Sequence, residues 1–378
     1  MKKLCFSCPT LLLRRPIAEI IPRLKNIEIG LYTPKDLIKG FIPIHFNKFR
    51  NIKIYDYSIL NPPIVSSEWP IPINPLFLIR LTRILKKYDT IHMWVPFYIN
   101  NTSLAILKKL FFPKKKLFIT MDTFPALSFK ISKIMDIFFR IYYNTIGKIV
   151  FSAADKIIIY GKSMKKFALQ ARVPEEKIEI IPTGVNIEIK KKDKDIRSEF
   201  GLNTEDKLIL FVGLINERKG IDIIIEIARK IQAKNIKFII VGDGSSRAQY
   251  EKLVITYNLN DRVIFTGFRK DVHNFYHEAD LFLLPSRVEG LAGVLMESMS
   301  YGVPIITSNI AGTRDLIQND INGFLCECED IDSYTKKIEV LLNNNALKQN
   351  FIAKSKKIIN ERYNWKHIMK NIRNLYEK

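Results

Sequence analysis

Two glutamates, Glu289 and Glu297, stand with seven residues between them in the stretch PSRVEGLAGVLMESMSYGVP, residues 285–304. Glycines, small residues and apolar residues fill the gap between them. The run before Glu289, ADLFLLP, reads as a buried strand, RVEG as a loop and AGVLMESMSYG as a helix. Glu289 then lies at the C-terminal edge of a strand. Residues Leu291, Ala292, Gly293 and Val294 form the turn into the helix, where unpaired N–H groups attract phosphate or sugar oxygens. Ala292 and Gly293 leave room for that approach. Glu297 falls about one turn further on, a rise of roughly 5 to 6 Å. That matches the separation of a sugar ring from a ribose joined through a diphosphate, and a carboxylate accepts from two vicinal hydroxyls when a protein holds a ribose. The alternative is a solvated helix glutamate, which the neighbours Val294, Leu295 and Met296 disfavour.

A basic pair has matching chemistry. Arg218 and Lys219 follow the strand-like run LILFVG, in the loop LINERKGID. A helix start already carries roughly half a positive charge, so two cations there conflict unless an anion binds. A diphosphate resolves the conflict, Arg giving a forked contact and Lys a point charge. Two solvated basic residues are the other reading. The later VGDGSSR, residues 241–247, lacks the G-x-G-x-x-G dinucleotide fingerprint and reads as a turn.

The elements that must position these groups alternate. In the second half, runs at 208–213, 236–242, 262–268, 279–285 and 303–308 are nearly continuously apolar, as strands buried on both faces are. Segments of helical pattern separate them, so the order implies a parallel sheet with right-handed crossovers. The first half offers strands at 2–7, 90–95, 116–121 and 155–161, with helices over 126–150 and 162–171. The charged run KKKDKDIRSEF, 190–200, reads as a linker, and 348–378 as helical. In such doubly wound sheets ligands sit at the C-terminal ends of the strands.

At 378 residues the chain is long for one core, and 47% hydrophobic with 26% charged residues places it among globular proteins. No apolar run approaches the roughly 18 to 20 residues of a bilayer span. The start, MKKLCFSCPTLLLRR, reads as a first buried strand rather than a signal segment, which predicts a cytoplasmic protein. The cysteines Cys5, Cys8, Cys326 and Cys328 lack a His-rich partner segment and are expected reduced and structural. Net charge is +22 and uneven: residues 1–187 hold 30 Lys and Arg against 12 Asp and Glu, the remainder 30 against 26. The basic half therefore points to something anionic.

The runs FVGLINERKG, IIVGDGSSR, VIFTGF, ADLFLLPSRVEGLAGVLMESMSYGVPIITSNIAGTRDLI and NGFL, in that order after IIPTGVN, resemble the family 4 retaining glycosyltransferases, also called group 1 glycosyl transferases. The resemblance is strong from about Ile180 to Leu325. It implies the GT-B fold, α/β, with two Rossmann-like doubly wound domains facing across a cleft. The expected division is an acceptor-binding domain over 1–187, a nucleotide-sugar-binding domain over 188–360 and a helix, 361–378, returning to the first. By the same similarity Arg218 and Lys219 hold the diphosphate and neutralise the leaving group. Glu289 and the backbone of 291–294 hold the donor sugar, and Glu297 holds the ribose. Gly213, which closes the strand before the basic loop, is expected among the donor-binding residues, and Phe268 and Arg269 lie near the base.

The chain departs from the family in four places. Leu214 stands where many members have Arg, with Arg218 as another source of charge. EGLAG replaces EGFG, which moves the glycine to Gly293 and bears on donor-sugar choice. The Gly-Gly loop after the first strand is missing. The usual strand-end histidine gives way to TMDTF, making Asp122 either an acceptor-side group or a structural cap, whereas His92 reads as a core histidine.

The resemblance implies sugar transfer with retention from a nucleotide-diphosphate sugar, with no cofactor. Arg218 and Lys219 stand in for a metal ion, so no metal requirement is expected. Basic and aromatic residues interleave at 108–118 and 129–151, which predicts an anionic membrane surface and a lipid-linked glycan or glycolipid acceptor. The rivals are a nucleotide-sugar epimerase of the same fold and a basic nucleic-acid-binding protein. The second predicts no role for Glu297, and the basic segments match no nucleic-acid module. The expected partners therefore exclude nucleic acid.

Overall fold

A computed structural model describes residues 3–10, 13–35, 52–60, 71, 72, 74 and 76–377. These group into two compact units, Met1–Pro182 with Met369–Lys378, and Thr183–Ile368. The first holds 33 Lys and Arg against 13 Asp and Glu, net +20, and the second 27 against 25, net +2. The charge asymmetry thus follows the structural division.

The first unit is built on strands β1 (Lys3–Ser7), β2 (Glu28–Pro34), β3 (Ile52–Tyr57), the short antiparallel pair β4 (Ile59–Leu60) and β5 (Ile71–Pro72), then β6 (Thr90–Trp94), β7 (Lys116–Met121), β8 (Lys156–Ile159) and β9 (Ile178–Ile180). Seven of them make one sheet in the order β3-β2-β1-β6-β7-β8-β9. Every neighbouring pair in it is parallel. The second unit holds β10 (Lys207–Val212), β11 (Ile236–Val241), β12 (Val263–Gly267), β13 (Leu281–Leu284), β14 (Ile305–Ser308) and β15 (Phe324–Cys326). Its sheet, β12-β11-β10-β13-β14-β15, is also wholly parallel. These are two Rossmann-like α/β layers, with the reversal of strand order in the second sheet between β10 and β13.

Four sequence expectations need correction. Strands β2 and β3, which extend the first sheet beyond β1, carry no clean apolar run: β2 contains Gly30 and Pro34, and β3 alternates as IKIYDY. The helix expected over 126–150 is two helices, Lys133–Asn144 and Ile146–Ala153. It breaks where Asn144 Nδ2 donates to the Arg140 carbonyl at 2.8 Å and Thr145 Oγ1 to that of Ile141 at 2.7 Å, so side chains satisfy the last-turn carbonyls. The expected linker, 190–200, packs on the second unit. Asp195 caps a short helix, Ile196–Glu199, whose Ile196 is fully buried, and Asn274 Oδ1 accepts from the Asp193 amide at 2.9 Å. Within the basic run 108–118, Lys108 is buried: its Nζ donates to the Ala153 carbonyl at 2.9 Å and pairs with Asp155 at 3.4 Å.

The cysteines are free thiols, and Cys5, Cys8 and Cys326 are buried. Among the described residues no helix is long and apolar enough to cross a membrane. His92 is a core residue held on both ring nitrogens, by Tyr376 Oη at 2.5 Å and Thr120 Oγ1 at 2.7 Å. Burial pushes its pKa down from 6.5 to about 3. The unfolded chain therefore binds a proton that the folded chain refuses between those values. The His92 contribution is intact above pH 6.5 and is lost as pH falls, at about 1.4 kcal/mol per pH unit. Thermal melts should show stability dropping from pH 7 toward pH 5, and His92→Leu should flatten that slope. An unchanged slope would mean that His92 is not the group responsible.

Candidate functional site

Strands β10 and β13 are neighbours, and the loops leaving their C-terminal ends carry the predicted groups. After β10, Gly213 donates its N–H to the Val241 carbonyl at 3.0 Å. Gly242, at φ +145°, presses so close to Gly213 that a Cβ there would lie 1.8 Å from its carbonyl oxygen. The glycines of VGDG thus bring backbone against backbone beneath the loop. Residues Glu217–Lys219 form a single 3₁₀ turn, followed by Gly220 at φ +69° and the helix Ile221–Lys230. A Cβ on Gly220 would sit 2.2 Å from the Pro285 carbonyl oxygen, so only glycine lets this turn rest on the end of β13.

Across that contact Lys219 Nζ meets Glu289 Oε1 at 2.5 Å, both side chains being mostly buried. Arg287 ties the two loops together. Its amide donates to the Arg218 carbonyl at 2.7 Å, and its guanidinium donates to the Glu217 carbonyl at 2.7 Å. The same guanidinium forks onto Asp222 at 2.6 and 3.0 Å and reaches Glu329 at 2.7 Å. The Asp222 carboxylate raises the Arg287 pKa above its ordinary value, so this clamp stays charged. Arg218 itself is exposed, and its side chain forms no ion pair among the described residues.

The helix Gly293–Tyr301 begins on the far side of Glu289. Ala292 is its N-cap and gives no side-chain cap, Gly293 and Val294 are its first residues, and Leu291 precedes them. The first amides of this nine-residue helix keep the donor character that a cap would otherwise use. Glu297 is half-buried, and Tyr276 Oη donates to its Oε2 at 3.1 Å. Tyr276 is fixed by stacking on Tyr301, ring centroids 5.2 Å apart, and on Phe282 at 5.8 Å.

Phe268 and Arg269 follow β12. Phe268 is exposed. Arg269 is spoken for: it pairs with Glu199 and forks onto Asp271 at 2.8 and 2.9 Å, its guanidinium 5.3 Å from the Phe275 ring. The pairing holds the Asp271 carboxyl well below the usual carboxylate range. In the first unit, Asp122 follows β7 and Arg14 Nη1 donates to its Oδ2 at 2.8 Å. That carboxylate raises the Arg14 pKa, and the contact fixes the Asp122 side chain in place.

The structure therefore brings Gly213, Lys219 and Glu289 together at adjacent strand ends, while Leu291–Val294 lead into the helix that follows and Glu297 lies about one turn into it. Arg14, Tyr276 and Arg287 were missed. Arg287 had a signal, a cation two residues before Glu289 in an apolar surrounding. Tyr276 had none, because only the packing of its helix brings it to Glu297. An ammonium held on a carboxylate beside an uncapped helix start can exchange that carboxylate for a phosphate.

The two parallel Rossmann-like sheets define the class as the GT-B fold. Residues 192–358 match the family described as Glycosyl transferases group 1, and residues 45–189 match Glycosyltransferase Family 4. The chain belongs to these glycosyltransferases. It is 28% identical over 232 residues to an uncharacterized glycosyltransferase of Methanocaldococcus jannaschii, a match spanning 59% of this chain and 60% of that protein. It is 28% identical over 298 residues to the UDP-Gal:alpha-D-GlcNAc-diphosphoundecaprenol alpha-1,3-galactosyltransferase of Escherichia coli, covering 75% of this chain and 74% of the relative. The solved structure of Anabaena HepE in complex with UDP superposes over the whole of both chains with a TM-score of 0.79 at 17% identity, which shows the shared fold.

Proposed function

We propose that the second unit binds a nucleotide-diphosphate sugar and that the enzyme transfers the sugar, with retention, to a hydroxyl of a lipid-linked glycan or glycolipid at an anionic membrane surface. The observation that carries the donor reading is the Lys219–Glu289 contact at adjacent strand ends, beside the start of the helix Gly293–Tyr301. In this reading Lys219 moves from Glu289 to the diphosphate, and exposed Arg218 adds its fork. Glu289 is then released toward the donor-sugar hydroxyls. The amides of 291–294 face the oxygens between, Glu297 accepts from the ribose, and Phe268 and Arg269 border the base. The bond from the anomeric carbon to the diphosphate oxygen breaks, and the electron pair leaves on the nucleoside diphosphate. A bond from that carbon to the acceptor oxygen forms on the same face, and the proton of the acceptor hydroxyl passes to the departing diphosphate oxygen. Fixed cations and helix amides oppose the negative charge growing on the leaving group. Those cations do the work a metal ion would do, so the reaction proceeds without a metal or other cofactor. Asp122, positioned by Arg14 at 2.8 Å, offers an oxygen to the acceptor hydroxyl.

Support for the lipid-linked acceptor comes from the Escherichia coli relative, whose name specifies a diphosphoundecaprenol substrate, and from the net charge of +20 on the first unit. The nucleotide is decided by thermal shift with UDP, GDP and ADP, where one should raise the melting temperature above the other two. Turnover of the matching sugar should persist in EDTA. No shift with any nucleoside diphosphate would refute the donor reading, and loss of turnover in EDTA would refute metal independence.

A further inference from the structure

The helix Lys133–Asn144 has two apolar faces where one suffices for packing. Phe139, Tyr142 and Tyr143 face the core, and Tyr143 Oη donates to the Pro125 carbonyl at 3.1 Å. The opposite side presents Ile134, Ile137, Phe138 and Ile141 to solvent, with Ile134 80% exposed. Their spacing is i, i+3, i+4, i+7, the repeat that a helix in a water-soluble protein normally turns inward. Ile131 before this helix and Ile146 and Ile149 in the helix Ile146–Ala153 are exposed as well. Contiguous exposed apolar surface of this kind marks an interaction site.

The charges around it select the partner. Residues 129–151 carry Lys130, Lys133, Arg140 and Lys148 against the single acid Asp136, net +3. Asp136 Oδ1 accepts from the Ile131 amide at 3.0 Å, so the acid is turned back onto the helix start. Along the helix, Lys133 and Arg140 lie at the edge of the Ile134–Ile137–Phe138–Ile141 stripe, at roughly 100° per residue. Aliphatic side chains edged by cations suit the boundary between acyl chains and anionic headgroups. A second copy of the chain fits poorly, because a two-fold contact would set Lys and Arg against Lys and Arg.

We infer that the exposed face formed by Ile134, Ile137, Phe138 and Ile141, continued by Ile146 and Ile149, is the surface by which the enzyme docks on an anionic lipid bilayer, its helices lying flat in the headgroup layer. The inference rests on the membrane reading proposed above and gives it a location. The face needs no bilayer span: the apolar side chains enter the acyl boundary while Lys130, Lys133, Arg140 and Lys148 meet lipid phosphates.

The test is co-sedimentation of the full chain with vesicles of phosphatidylcholine alone or mixed with phosphatidylglycerol, at low and high salt. Wild type should sediment with the mixed vesicles in a salt-sensitive way. Ile134→Asp with Ile137→Asp should cut that partition by at least about tenfold. The double variant should keep the wild-type melting temperature and the wild-type thermal shift with nucleotide, since both positions are exposed. Lys133→Glu with Arg140→Glu should weaken binding and shrink its salt dependence. Wild type and the apolar variant binding equally well would overturn the docking face while leaving membrane association standing. Wild type failing to bind either vesicle would remove the membrane reading and this face with it. A wild-type dimer that the apolar variant turns into a monomer would assign the face to a second copy instead.

Discussion

Replacing Lys219 with Ala should lower turnover about 10²- to 10³-fold, the usual effect of removing one preorganised group from a developing negative charge. The loss should fall mainly on kcat rather than on donor KM, because the charge on the departing diphosphate exists fully only in the transition state. The ion pair complicates the measurement. Lys219 and Glu289 touch at 2.5 Å with both side chains mostly buried, so the single substitution strands a carboxylate. Removing one partner of a fully buried pair costs about 3 to 5 kcal/mol, and this partly buried pair should cost less. A fall in activity could then merely report a fall in stability. Lys219→Met combined with Glu289→Gln separates the two, since it removes both charges at similar volume. The double variant should recover the melting temperature of the wild type and remain inactive. If it recovered turnover as well, the pair would be a structural strut and the diphosphate would have to be neutralised elsewhere.

Most of the second unit was legible because its strands are buried on both faces. LFLL and IITS admit no helix period, and their boundaries in sequence match β13 and β14 within two residues. The first unit was harder to read. β2 contains a glycine and a proline, and β3 alternates as a half-exposed edge strand does, so neither produces a long apolar run. The charged stretch 190–200 misled for a different reason. Its lysines dominate the composition, while its fold is set by the single buried Ile196 and the Asp195 cap. The site divides in the same way. Lys219, Glu289 and the helix start were visible because each follows directly from a strand end. Arg287 and Tyr276 reach their partners across long separations, 65 residues to Asp222 and 21 to Glu297, and only the tertiary packing creates those contacts. Exposure was hidden as well. In the interleaved segment 129–151 the sequence shows apolar residues on every side of a helix, and only the structure tells the buried Phe139 from the exposed Ile137 and Phe138.

Glu297→Ala should weaken nucleoside diphosphate binding by about ten- to a hundredfold, the effect of losing hydrogen bonds to a charged acceptor. The fold should survive, because Tyr276 keeps its stacking on Tyr301 and Phe282 whether or not the carboxylate is present. A carboxylate offers about four lone-pair positions, so the Tyr276 hydroxyl at 3.1 Å orients Glu297 and leaves capacity for two ribose hydroxyls. Tyr276→Phe should therefore weaken binding only a few-fold, within the roughly 0.5 to 1.5 kcal/mol of one ordinary hydrogen bond. Weaker binding alone would not prove contact with ribose, since a disturbed helix would have the same effect. A cycle with the ligand supplies the proof. Wild type should prefer the stabilising nucleoside diphosphate over its 2′-deoxy form, and in Glu297→Ala that preference should vanish. Glu297→Gln should fall between the two, because an amide oxygen accepts but carries no charge. A 2′-deoxy penalty that stayed the same in all three proteins would place the ribose elsewhere and reduce Glu297 to a partner of Tyr276.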